Sequence, residues 1–169
     1  YAHIGHDEVQ SFNHCAACRA WPDHRPEVVF AHSVAKFAKY FEKKGIVPML
    51  WGDLLIDSKD PRFENTSYKH GNIAQGPVYL ALDLLQKKHG VKQLAVMDWH
   101  YKEGKPPKDK FPSADYFKTE KGLQVFGVPH NREINNYAFS KYLLELGGDG
   151  MVVSTWAALN RPMLNPTNE

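Results

Sequence analysis

The sequence contains no apolar run near the roughly 20 residues that a membrane-spanning helix needs, so no membrane partner is expected. It also has no run of like charge. The 21 basic and 19 acidic residues are interspersed and leave a net charge of +2, which argues against nucleic acid or an anionic lipid surface as a partner. Cysteine is scarce: two residues do not make a disulfide framework, and they leave the compartment open. No basic lead, hydrophobic signal stretch or initiator Met precedes Tyr-Ala-His-Ile-Gly, and the chain reads as though cut from a longer one. Low-complexity segments are lacking too, as is a Gly-x-Gly-x-x-Gly phosphate loop. What is present is 43% hydrophobic, 12% aromatic and 24% charged, the proportions of a folded domain, which excludes disordered and collagen-like chains.

The apolar residues alternate between two periods. Short runs at Ala2–Gly5, Ile46–Trp51, Leu94–Asp98, Leu123–Val128 and Met151–Thr155 read as buried strands. Between them, Val28–Lys44, Val78–His89, a segment from Ser113 as N-cap to Lys121, and Tyr137–Leu146 read as helices. Phe30, Val34, Phe37 and Phe41 fall on one helical stripe and are expected to pack the core. Gly45, Gly90, Gly122 and Gly147 stand where left-handed helix stops belong. Five strands alternating with four helices predict an α/β fold with a parallel sheet. Two architectures fit the pattern equally: part of a (β/α)8 TIM-barrel, or a doubly wound open parallel sheet. A full barrel needs about 250 residues, so this chain would supply five of its eight strands.

Chemistry concentrates at the carboxyl ends of those strands, the edge where parallel α/β folds build their sites. The first strand delivers Asp7 and Glu8, the second Trp51 and Asp53, the third Asp98, Trp99 and Tyr101, the fourth His130 and Asn131, and the fifth Trp156. Indole rings stack on the apolar faces of pyranoses, while carboxylates bind hydroxyls and move protons, so these side chains predict a carbohydrate cleft. A glycosidase ordinarily sets two carboxyls about 5 to 10 Å apart. Adjacent Asp7 and Glu8 suit a different division of labour, in which one donates a proton and the other positions a nucleophilic group of the substrate.

The run His3-Ile4-Gly5-His6-Asp7-Glu8-Val9 resembles the His-x-Gly-Gly-Asp-Glu signature of glycoside hydrolase family 20, the β-N-acetylhexosaminidases. Pro48–Asp53 is similar to that family's fifth barrel strand, and Gly150–Trp156 to its eighth. The resemblance implies the second half of a TIM-barrel glycosidase that acts on terminal β-linked N-acetylhexosamine without a cofactor. Glu8 would be the general acid, its pKa raised by Asp7 and by partial desolvation. Asp7 would orient the substrate's 2-acetamido group, which attacks the anomeric carbon and retains its configuration. His3, Trp51, Asp53, Asp98, Trp99, Tyr101, Asn131 and Trp156 would bind the sugar. Two positions depart from the family pattern: the second glycine is His6, a ring expected to narrow the site or bond a carboxylate, and a sugar-binding glutamate is replaced by Ala158. Strands one to four of such a barrel, with the arginine that grips the terminal sugar, would be mostly absent. A half-barrel leaves unpaired strand edges, so the expected partner is the missing N-terminal half-barrel or a second copy.

Other constellations are weaker. His14, Cys15 and Cys18 invite a zinc site, but the usual second cysteine pair is missing, and loop cysteines, reduced or bridged, are the simpler reading. His3, His6 and Asp7 lack the helical His-Glu-x-x-His context of a catalytic metal. Asn65-Thr66-Ser67 is a glycosylation sequon, and Lys102–Lys110 a solvated loop or lid.

Overall fold

The computed structural model describes residues 1–9, 12, 15–20, 22–63, 77–101, 110–130 and 133–154, without the side chains of 17 and 18. Five strands form one all-parallel sheet: β1 (Ala2–His3), β2 (Pro48–Trp51), β3 (Ala95–Trp99), β4 (Gln124–Val128) and β5 (Gly150–Met151). Their order across the sheet is their order in the chain. The register pairs His3 with Met49, Trp51 with Met97, Trp99 with Val128, and Phe126 with Gly150. A doubly wound sheet reverses its strand order so that helices cover both faces. No such reversal occurs here.

Helices α1 (Ala16–Arg19), α2 (Pro26–Glu42) and α5 (Glu133–Leu146) are regular. Two others tighten and widen along their length. Helix α3 passes from a 3-10 turn (Val78–Leu80) through Ala81–Asp83 into a π turn (Leu84–Lys88), and α4 runs from Pro112–Asp115 into a π turn (Tyr116–Glu120). All four glycines read as helix stops do have left-handed backbone. Ser113 is not the cap of α4: Phe111 holds that place, and the Ser113 hydroxyl is turned into the protein. The α2 stripe is also rotated from its expected course. Ala31, Ala35 and Ala38 are buried along with Phe30 and Val34, and Phe37 is left 44% exposed. Small residues there let the helix approach closely, which the spacing of the phenylalanines does not reveal.

Strand alternation divides the sheet's side chains between two clusters. Leu50, Val96 and Val125 face Phe30 and Val34 of α2, Leu82 and Leu85 of α3, Phe117 of α4, and Phe139 and Leu143 of α5. Helices α2 to α5 thus cover one face. The other cluster, Met49, Ala95, Met97 and Val128 flanked by Trp51, Trp99, Tyr101 and Phe126, contains strand and strand-end residues alone. Gly127 permits the closest helix contact, because a Cβ there would press on Leu143, on Met151 Sδ at 2.8 Å and on the Phe139 ring at 3.0 Å. Among the described residues no helix is long and apolar enough to cross a membrane.

Candidate functional site

The turn after β1 holds two of the three non-glycine residues with positive φ among the described residues. Gly5, His6 and Glu8 have φ of 72°, 68° and 44°, a left-handed conformation that side chains other than glycine's rarely adopt. Such strain persists only where its surroundings enforce it, and it gathers at functional sites. His6 is held from behind. Its Nδ1 donates to the Ile4 carbonyl at 2.8 Å, its Nε2 accepts from the Ser33 hydroxyl at 3.0 Å, and its ring meets Phe30 and Phe37 edge-on. Burial lowers its pKa, in keeping with a neutral imidazole. The ring, expected to narrow the site or bond a carboxylate, instead meets α2 at Ser33, Phe30 and Phe37.

The same turn is held from the other side by Asp53, in the 3-10 turn Asp53–Leu55 that follows β2. The Glu8 N–H donates to Asp53 Oδ2 at 2.9 Å. Asp53 is completely buried. Burial pushes its pKa up to about 6, and the Asp7 charge adds to the rise, while the Glu8 N–H, its own N–H and the Trp99 indole oppose it. Expected as a sugar ligand, Asp53 instead lies beneath the turn, out of contact with solvent.

Aromatic side chains continue the edge. The His3 ring meets Trp51 edge-on at 5.1 Å, and its Nδ1 accepts the Gly5 N–H at 3.2 Å. Burial lowers its pKa, with the Asp7 charge opposing. Trp99 lies 4.9 Å from Tyr101, which lies 5.0 Å from His130. Asp7, Glu8, His3, Trp51, Asp53, Trp99 and Tyr101 thus come from three strand ends and are linked through shared neighbours. No family model matches the chain, and no curated protein matches it. The functional reading rests on the residues themselves.

Asp98 does not join this group. Strand alternation turns it to the helix-covered face, where it is completely buried. The Ser113 hydroxyl donates to Asp98 Oδ2 at 3.0 Å and lies 2.6 Å from His100 Nε2. With its proton committed to Asp98, that oxygen accepts from His100, which fixes the Nε2–H tautomer. Asn135 Nδ2 donates to the His100 carbonyl and, at 3.0 Å, to that of Pro129, tying α5 to the ends of β3 and β4. Asp98, expected as a sugar ligand, is thus buried on the helix side in a bonded cluster with Ser113 and His100.

Glu8 is exposed, as is Asp7, so the desolvation expected at the proton donor is not supplied by the described residues. His130, which the sequence placed at a strand end without a role, has a left-handed φ of 63° and stacks on Tyr101. Its position beyond β4 was the available signal. Asn131, Trp156, Ala158, His14, Asn65–Ser67 and 102–109 lie outside the described residues. Cys15 is disulfide-bonded, which removes it as a thiolate ligand for zinc. Among the described residues no group of three or more His, Cys, Asp or Glu could hold a metal ion.

Proposed function

We propose that the chain forms part of a barrel glycosidase of the β-N-acetylhexosaminidase type, cleaving terminal β-linked N-acetylhexosamine. The observation that carries this reading is the Asp7-Glu8 turn, set in strained backbone at the tip of a parallel strand and flanked by the His3–Trp51 and Asp53–Trp99 pairs. Strain of this kind is costly unless the orientation it imposes is useful. In the proposed reaction Glu8 gives its proton to the glycosidic oxygen as the bond to the anomeric carbon breaks. The substrate's acetamide oxygen, steered by Asp7, bonds that carbon, and water deprotonated by Glu8 then opens the ring so formed. A bound sugar would cover Glu8 and supply the desolvation that the free turn lacks.

Three features favour a barrel arc over a flat sheet. Among the described residues the strand order does not reverse, helices α2 to α5 lie on one face, and the opposite face is packed by strand residues. In addition, the rings of Tyr1 and Phe126 meet edge-on at 5.0 Å, although β2 and β3 lie between their strands. On a flat sheet such residues would stand about 14 Å apart, so the strands curl toward the helix-free face. The outer edges of β1 and β5 call for a neighbour, a complementary half-barrel first and a second copy next.

A second reading, a sugar-binding relative without turnover, is favoured by the exposure of Glu8 and by Ala158 in place of the family's glutamate. A chromogenic N-acetyl-β-glucosaminide separates the two. Turnover that is abolished in Glu8→Gln supports the glycosidase. Binding of N-acetylglucosamine without turnover supports the lectin-like reading, and turnover that survives Glu8→Gln refutes the mechanism.

A further inference from the structure

A carboxylate completely removed from water, with no cation beside it among the described residues, is an expensive feature unless it performs a task. One of the bonds Asp53 accepts bears directly on the turn. Its Oδ2 accepts the Glu8 N–H at the residue whose φ of 44° is the hardest to sustain. A bond from an N–H to an ionised acceptor is roughly twice as strong as a neutral one, and here it closes over the strained peptide. The opposite side of the turn is already fixed, since His6 is anchored to Ile4 and Ser33 on α2. The turn is therefore clamped between a partly buried imidazole on the α2 side and a fully buried carboxylate.

We propose that Asp53 is a positioning residue, whose buried carboxylate locks the Glu8 peptide in its left-handed conformation and so sets where the Glu8 side chain is presented. The catalytic consequence rests on the glycosidase reading above; the lock itself does not. Because the lock is a carboxylate, it is strongest when ionised and loosens as it gains a proton. The groups that act on it are Asp7, whose charge favours protonation, and the Glu8 N–H, the Asp53 N–H and the Trp99 indole, which favour the anion. His3 and His6 lie on the same turn, and both are held toward the neutral form by burial. As pH falls, Asp53 therefore titrates ahead of an ordinary carboxyl, and the Glu8 turn loosens with it.

The test uses the isotopically labelled full chain. The Glu8 amide proton, followed by NMR from pH 4.5 to 8, should move downfield in one step centred near pH 6 as Asp53 ionises. Asp53→Asn should abolish that step. Should Asp53→Asn fail to fold, the wild-type titration decides alone. With a chromogenic N-acetylglucosaminide, Asp53→Asn should lower kcat about 10- to 100-fold and leave KM within about twofold, as expected of a displaced reacting group. An unchanged kcat with a raised KM would make Asp53 a sugar ligand and overturn the proposal. A Glu8 amide without a step near pH 6, or one that persists in the variant, overturns it as well. A wild-type chain without turnover would defeat the glycosidase reading instead, with the titration still judging the lock.

Discussion

Asp53 makes a quantitative demand on stability. Its pKa rises from 3.8 to about 6 on folding, with burial as the main cause, so the folded protein holds this proton more tightly than the unfolded chain. Stability from this group is fully present below pH 3.8 and is lost as pH climbs through about 6. The span of about 2.2 units (6 − 3.8) corresponds to about 3 kcal/mol at 1.36 kcal/mol per unit, an order-of-magnitude figure. Asp53→Asn removes the titration and keeps a side-chain oxygen for the Glu8 N–H. Its new NH2 group lacks an obvious acceptor, but that cost does not change with pH. His6 titrates in the opposite sense, losing stability as pH falls below 6.5, and it does so in both proteins. The informative quantity is therefore the difference between variant and wild type. At about 2–4 °C per kcal/mol for a chain of this size, and with about 2.4 kcal/mol of the effect falling between pH 4 and pH 8, the variant's Tm should gain roughly 5–10 °C on the wild type over that range. Differential scanning fluorimetry in matched buffers measures this directly. A gap that stays flat across the range would refute the buried, uncompensated anion.

Four further outcomes follow from particular contacts. Glu8→Gln should abolish hydrolysis of a chromogenic N-acetylglucosaminide while N-acetylglucosamine still quenches tryptophan fluorescence; loss of both would point to misfolding of the turn. Gly127→Ala should destabilise the fold by about 1–3 kcal/mol in denaturant titration, because the added Cβ meets Leu143, Met151 and Phe139, and a neutral result would show that α5 packs less closely on β4. Ser113→Ala should cost about 1–3 kcal/mol by leaving Asp98 and His100 without their shared hydroxyl, as read by chemical unfolding. At position 6, glycine and alanine both forfeit the ring's bonds, but only alanine bears the left-handed strain. His6→Gly should therefore be about 1–2 kcal/mol more stable than His6→Ala, and the reverse order would contradict the backbone conformation.

Strands and helix stops were legible because their signals are local. An apolar run of four or five residues, or a glycine after a helical stripe, carries its meaning within one or two turns. The strand-end origin of Asp7, Glu8, Trp51, Trp99 and Tyr101 followed from the same reading. Asp98 misled because its face depends on register: with Trp99 turned to the helix-free side, its neighbour is committed to the other. The roles of Ser113 and Asn135 were out of reach, since each bonds a group that is distant in sequence and brought near only by helix packing on the sheet. Helix α2 shows the same limit. Its phenylalanine spacing marks a helix correctly, but the close approach made by Ala31, Ala35 and Ala38 is a property of the interface.

Order along the chain, the alternation of strand and helix, and the collection of acids and indoles at one edge were thus written in the amino-acid sequence, because hydrophobic period and turn chemistry act over short distances. Tertiary packing alone decided which acid is buried. Glu8 and Asp53 are both carboxylates at strand ends, yet one stands in water and the other lies under the backbone of the first. That distinction comes from how the tips of β1, β2 and β3 meet, and solvation, which sets the chemistry of a carboxyl group, is a property of that meeting.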